Sequence, residues 1–180
     1  MRVMLDTNIL ISAVLFPGKS MDQFIQKISA EHQIVLSSYV SGEFKGVVKE
    51  RFPDKLDAVD KFFANMSYEL VYTPDDMPDD MFEIRDQKDY PVLYTAVDES
   101  VDVLVTGDKD FKDVKGINLE ICTPQIFLEK YVGFQVSENT LKVMDYSMEN
   151  YKAGIVSDTI TGDLSYFLKT LSDTKYCDTL

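Results

Sequence analysis

Across the first 130 residues, short apolar runs alternate with amphipathic segments, and that alternation leaves few architectures open. Arg2–Leu5, Ile34–Leu36, Tyr68–Tyr72, Val101–Thr106 and Leu119–Cys122 read as strands. Between them, Ile9–Leu15 reads as a helix that stops before Phe16-Pro17-Gly18. Met21, Phe24, Ile25 and Ile28 fall at i, i+3, i+4 and i+7, one face of a helix. Val40, Phe44, Val47 and Val48 share a face of another, which Ser37 or Ser38 caps and Pro53 ends. Leu56, Val59, Phe62 and Met66 mark a third helix, and Val92, Leu93, Ala96 and Val97 a short buried one. Thr123-Pro124 opens a last one running through Tyr131. Strands alternating with helices in this order predict an α/β sandwich around a mostly parallel sheet.

Beyond Gly133 the alternation stops. Leu141, Met144, Met148 and Tyr151 recur at helical spacing with Gly154 as a cap, and Leu164, Phe167, Leu168 and Leu171 form a second stripe. The expected organisation is an α/β domain over 1–132 and a C-terminal helical extension over 133–180, packed on the core or on a partner. A chain of 180 residues has ample length for one such core.

The charge balance is unusual: 18 Lys and Arg against 31 Asp and Glu, a net of -13. Taken alone, this argues against binding nucleic acid by phosphate neutralisation. The single histidine, His32, and two distant cysteines, Cys122 and Cys177, leave no parts for Cys/His zinc sites or for most nucleophilic triads. With no disulfide framework, no signal-peptide core and no apolar run of membrane-span length, the expectation is a cytoplasmic protein without membrane contact.

The placement of the acids carries more information than their number. In open parallel sheets, ligands bind beyond the carboxyl ends of the strands. Asp6 follows the first strand directly, and Asp108 follows Val105-Thr106-Gly107, with Asp110 two residues on. Glu43 flanks the apolar stripe of its helix, so it either skirts the core or looks into a cleft. Asp89 precedes Pro91 and the short buried helix, where capping alone explains it. Each acid singly has such a structural explanation, since Asx residues after strands form turns and caps. Together they gather like charges at one end of one sheet, where each raises its neighbour's pKa. A divalent cation offsets that cost. Oxygen ligands without His or Cys favour Mg²⁺ or Mn²⁺, and such ions most often serve phosphoryl chemistry.

Four segments, MLDTNILISAVL at the start, Glu43 in a helix after a short strand, RDQKDYPVLYTA at 85–96 and VLVTGDKDF at 103–111, resemble the PIN-domain family. They are most similar to its branch of toxin components of toxin–antitoxin systems, over roughly residues 1–132. The resemblance implies a three-layer α/β/α sandwich and a Mg²⁺- or Mn²⁺-dependent endoribonuclease that cleaves RNA phosphodiesters by metal-activated water. It implies that Asp6, Glu43, Asp89 and Asp108 form the catalytic metal site with Asp110 beside them. Asn8 and Thr106 would then orient the ligands. Gln87 stands where relatives often have Pro, and Tyr90 where they often have Asp or Asn, which leaves Asp86 as an alternative to Asp89. Implied partners are RNA, an antitoxin protein and a second copy of the chain.

Between Lys19 and Lys61, seven bases balance seven acids, so Lys45 and Lys49 are candidate phosphate contacts at the cleft rim. The segment YKAGIVSDTI also faintly resembles antitoxin tails, which raises inhibition in cis by the extension. Two other functions fit the pattern less well. A non-catalytic RNA- or protein-binding scaffold does not need the complete acid set. A haloacid-dehalogenase-like phosphatase wants a second Asp two residues after the first, where this chain has Asn8.

Overall fold

The computed structural model describes residues 1–15, 19–114 and 116–133. The extension, with its stripes from Leu141 and Leu164, lies outside the described residues. Five strands, β1 (Arg2–Leu5), β2 (Gln33–Ser37), β3 (Glu69–Val71), β4 (Val103–Val105) and β5 (Glu120–Cys122), form one sheet in the order β3-β2-β1-β4-β5. All four neighbouring pairs are parallel, with Met4 opposite both Val35 and Leu104. The helices are α1 (Thr7–Leu15), α2 (Lys19–Glu31), α3 (Ser38–Arg51), α4 (Leu56–Asn65), α5 (Tyr90–Asp98) and α6 (Pro124–Phe127). The result is the parallel α/β sandwich expected from the alternation, in the α/β/α form that the resemblance implies.

β1, β2 and β4 are near-continuous apolar runs because a parallel sheet is covered on both faces. Val3, Met4, Leu5, Ile34, Val35, Leu36, Leu104 and Val105 are accordingly fully buried. Every residue of α1 is buried, which matches its lack of an amphipathic pattern. Four phenylalanines, Phe24, Phe44, Phe62 and Phe127, fill the space between helices and sheet. Phe44 and Phe62 each meet Phe63 edge-on, at 5.5 and 5.6 Å.

Element ends follow local chemistry. Ser37, rather than Ser38, caps α3 by accepting the Val40 N–H at 3.0 Å. Thr123 caps α6 in the same way through Ile126, with Pro124 in the first turn. The last helix leaves α geometry sooner than expected: a π turn spans Leu128–Val132, closed by Gly133 at φ 66°. The predicted strand at Val101–Thr106 shortens to Val103–Val105. Thr106 still joins the ladder through its N–H to the Cys122 carbonyl at 3.0 Å.

At the amino end of the sheet, the Arg2 guanidinium bridges Glu69 at 2.7 Å and the Glu99 carbonyl, while the Arg2 N–H donates to Asp102. Those acids therefore serve the fold. At the opposite end the chain order reverses around β1, so β1 and β4 leave the sheet side by side where ligands bind in such folds. No helix among the described residues is long and apolar enough to cross a membrane.

Candidate metal centre

Asp6 takes its place from the end of β1. Its N–H still donates to the Val105 carbonyl at 3.1 Å, while its own carbonyl accepts Ile9 and Leu10 at the start of α1. The carboxylate is buried and both oxygens are held: Oδ1 accepts the Thr7 N–H at 2.7 Å, and Oδ2 accepts the Thr106 hydroxyl at 2.6 Å. Burial nonetheless pushes the carboxyl up to about 6. The two donors act against that, and the fields of Glu43 and Asp108 add to it.

Thr106 is the hub of this end of the sheet. Besides donating to Asp6, its oxygen accepts the Asp108 N–H at 2.9 Å and the Asn8 side-chain amide at 3.5 Å. Asn8 in turn accepts the Gly107 N–H at 3.5 Å. Asn8, Thr106 and Asp6 are thus joined by side-chain hydrogen bonds. Asp108 caps the 3₁₀ turn Lys109–Asp113 by accepting the Asp110 N–H at 2.9 Å, so its turn-forming role and its place beside Asp6 coexist. Glu43 lies exposed on α3, one of its oxygens accepting the Thr7 hydroxyl. Thr7 joins Asp6 to Glu43, a link no sequence pattern had marked.

The turn before α5 changes the reading of Asp89. Asp89 stands at the cap position of α5, but its backbone is helical (φ -85°, ψ -10°) and its side chain makes no capping hydrogen bond. Capping therefore does not explain it. Asp86 does the capping, accepting the Lys88 N–H at 3.0 Å at the head of a 3₁₀ turn, Gln87–Asp89. One oxygen from each of Asp86, Asp89 and Asp110 lies within 4.8 Å of the others. The exposed Arg85 guanidinium pairs with Asp110. Burial pushes the Asp89 carboxyl up to about 7, helped by the charges of Asp6, Asp108, Asp86 and Asp110. The two carboxylate groups, one around Asp6 and one around Asp89, therefore lie within each other's field.

Tyr39, in the first turn of α3, borders the centre. Its hydroxyl donates to the Lys88 carbonyl at 3.1 Å, and its pKa is raised by burial and by Glu43, Asp89 and Asp86. The Tyr90 hydroxyl donates to the Pro78 carbonyl and accepts the Met81 N–H, fastening the acidic loop. Lys45 lies 5.7 Å from the Phe63 ring centroid. Lys45 and Lys49 sit roughly 3 and 9 Å further down the α3 axis than Glu43, away from the carboxyl end of the sheet.

This donor set fits a hard divalent cation. All the donors are oxygens, and burial, with the like charges around them, raises the pKa values of Asp6 and Asp89. The oxygens of Asp86, Asp89 and Asp110, within 4.8 Å of one another, are close enough to share one such ion. Neither His32, which packs its ring on Phe127, nor the buried Cys122, whose thiol burial pushes up to about 12, has a ligand's environment.

A family model described as PIN domain matches residues 2–110. The crystal structure of VapBC2 from Rickettsia felis bound to a DNA fragment from their promoter is similar in fold: the two chains are 20% identical, with a TM-score of 0.52, over 67% of this chain and 98% of that one. No curated protein matches. With the match spanning β1, the acidic end of the sheet and the turn after β4, the chain belongs to the PIN-domain family.

Proposed function

We propose that this PIN domain is a Mg²⁺- or Mn²⁺-dependent endoribonuclease, the toxin of a toxin–antitoxin pair. The observation that carries the reading is the convergence of Asp6, Asp108 and Asp89 at the carboxyl end of the sheet, with Asp6 and Asp89 shifted to about 6 and 7 by burial and by the carboxylates around them. Glu69, a structural acid, is instead held below its ordinary value by pairing with Arg2.

A bound divalent cation supplies Lewis acidity, lowering the pKa of water and offsetting the charge that develops on a scissile phosphate. The chain's own residues shape where it binds. Thr7 and Thr106 fix both oxygens of Asp6 in the buried floor. Thr7 also aims Glu43 across from α3, and Asn8 supports Thr106 from below. Asp86, Asp89 and Asp110 form the outer wall. Lys45 and Lys49 are the proposed rim contacts to the RNA backbone. The antitoxin partner rests on the resemblance to the toxin branch and on the fold shared with VapBC2. A division into a nuclease domain over 1–132 and an extension that packs on the core or a partner belongs to the same reading, as does a homodimer.

The test is Asp6→Asn assayed on total RNA with Mn²⁺. We expect cleavage to disappear while circular dichroism stays that of the folded wild type. Full nuclease activity in this variant would sink the assignment. A wild type that is folded but neither binds Mn²⁺ nor cuts RNA would instead favour the non-catalytic scaffold.

A further inference from the structure

Asp86 of the outer wall ends a part of the chain that regular structure does not hold, and Asp89 follows in the next 3₁₀ turn. Fifteen residues, Tyr72 to Asp86, separate β3 from the 3₁₀ turn carrying Asp89, and none lies in a helix or strand. Loops of that length inside compact domains are uncommon and usually functional. Glu43, by contrast, rides on a 14-residue helix. Like charges on a rigid helix and on an irregular loop repel. A hydrogen bond from helix to loop fixes the separation of the carboxylates the two carry.

Tyr39 grips both ends of this segment. Its backbone N–H, one of the donors that the first turn of a helix leaves unpaired, reaches the Thr73 hydroxyl at 3.4 Å where the segment begins. Its phenol hydroxyl donates to the Lys88 carbonyl at 3.1 Å where the segment ends, one residue before Asp89. Tyr39 and Glu43 are four residues apart on α3, hence on the same face. The other anchors act elsewhere: Tyr90 holds the middle of the loop through Pro78 and Met81, and Arg85 ties it to Asp110 on the β4 side. Ser38 accepts the Thr73 N–H at the entry. The Tyr39 hydroxyl bond links α3 directly to the turn of Asp86 and Asp89. It comes from a neutral donor, so it adds no charge to the centre.

We propose that Tyr39 is a positioning residue of the acidic centre, holding the Asp86–Asp89 turn at a fixed separation from Glu43 and thereby setting the affinity for the divalent cation. This rests on the reading of the carboxylates as a cation site. Partners that orient ligands typically change metal affinity by 10- to 100-fold when removed. Tyr39→Phe keeps the ring and deletes only the hydroxyl.

The experiment is Mn²⁺ titration calorimetry on the full chain for wild type, Tyr39→Phe and Asp6→Asn, with metal-free melting curves of each. We expect Asp6→Asn to abolish binding. Tyr39→Phe should raise the Mn²⁺ Kd about 10-fold while its metal-free melting temperature stays at the wild-type value. Its cleavage rate, if the nuclease reading holds, should recover at saturating Mn²⁺. Binding by Tyr39→Phe as tight as wild type would overturn the role of Tyr39 and leave the carboxylate site standing. Weaker binding with a parallel drop in metal-free melting temperature would also overturn it, because that is general loosening of the fold. Absence of Mn²⁺ binding by the wild type would overturn both readings.

Discussion

The hydroxyl of Thr106 donates to Oδ2 of Asp6 at 2.6 Å, joining the residues that leave two adjacent parallel strands. Asp6 follows β1, and Thr106 follows β4 a hundred positions later. Their contact turns two separate strand ends into one floor. Several consequences can be measured.

Thr106 is buried, and Val has nearly its shape without the hydroxyl. Thr106→Val should leave Asp6 short of a donor and the Asp108 N–H short of an acceptor, at a cost of about 1–3 kcal/mol in urea unfolding. Mn²⁺ affinity should fall at least ~10-fold. Thr106→Ser, which restores the hydroxyl, should recover most of both.

The raised carboxyls fix the sign of the pH dependence. Asp6 and Asp89 move from an ordinary 3.8 to about 6 and about 7, so the metal-free folded state holds more protons than the unfolded chain between those values. Their stabilising contribution is full below pH 4 and is lost as the pH rises through 6 and 7. Metal-free melting temperature should therefore decline from pH 5 to pH 8, and saturating Mn²⁺ should flatten or reverse the trend. A metal-free melting temperature that climbs across this range would contradict the shifts. Asp89→Asn should remove much of the slope and raise the metal-free melting temperature at pH 8. Glu69, held down by Arg2, acts in the opposite sense, but below its ordinary 4.5 and outside this window.

Tyr90 is buried with its hydroxyl shared between Pro78 and Met81. Tyr90→Phe should cost about 1–2 kcal/mol. Hydrogen exchange should quicken most at Met81, whose N–H loses its acceptor, while amides of β1 and β4 keep their protection.

Phe44 is fully buried beside Glu43 and meets Phe63 edge-on. Phe44→Ala should destabilise the fold by about 3–5 kcal/mol, read as a lower urea midpoint with unchanged slope. This variant should lose metal affinity together with melting temperature, the pattern of a packing residue rather than a positioning one.

Much of this was legible in the chain itself. Apolar runs such as Val3–Leu5 and Val103–Val105 fit strands buried on both faces, and the stripe of Met21, Phe24, Ile25 and Ile28 fits a helix laid on them. Periods of 2 and 3.6 residues are local properties, so the α/β alternation and the strand ends bearing Asp6 and Asp108 follow without tertiary information. The resemblance of the segments around Asp6, Glu43, Asp89 and Asp108 placed the chain in its family, and the family match over residues 2–110 bears that out.

What the tertiary structure decided concerns pairs far apart in the chain. At Asp89, sequence offered capping as a sufficient explanation, and only the backbone angles and the missing capping bond removed it. Asp86 stood as an alternative to Asp89, whereas folding brings both together with Asp110. The links from Thr7 to Glu43 and from Tyr39 to Lys88 cross 36 and 49 positions, and no periodicity encodes them. A side chain's partner across the fold depends on how elements pack in three dimensions, whereas its tendency to form an element depends on neighbours within a few residues. Sequence therefore determined the sheet, its helices and which end collects acid. Packing alone decided which carboxylates meet, which donors hold them, and that burial among like charges keeps two of them poised near neutrality.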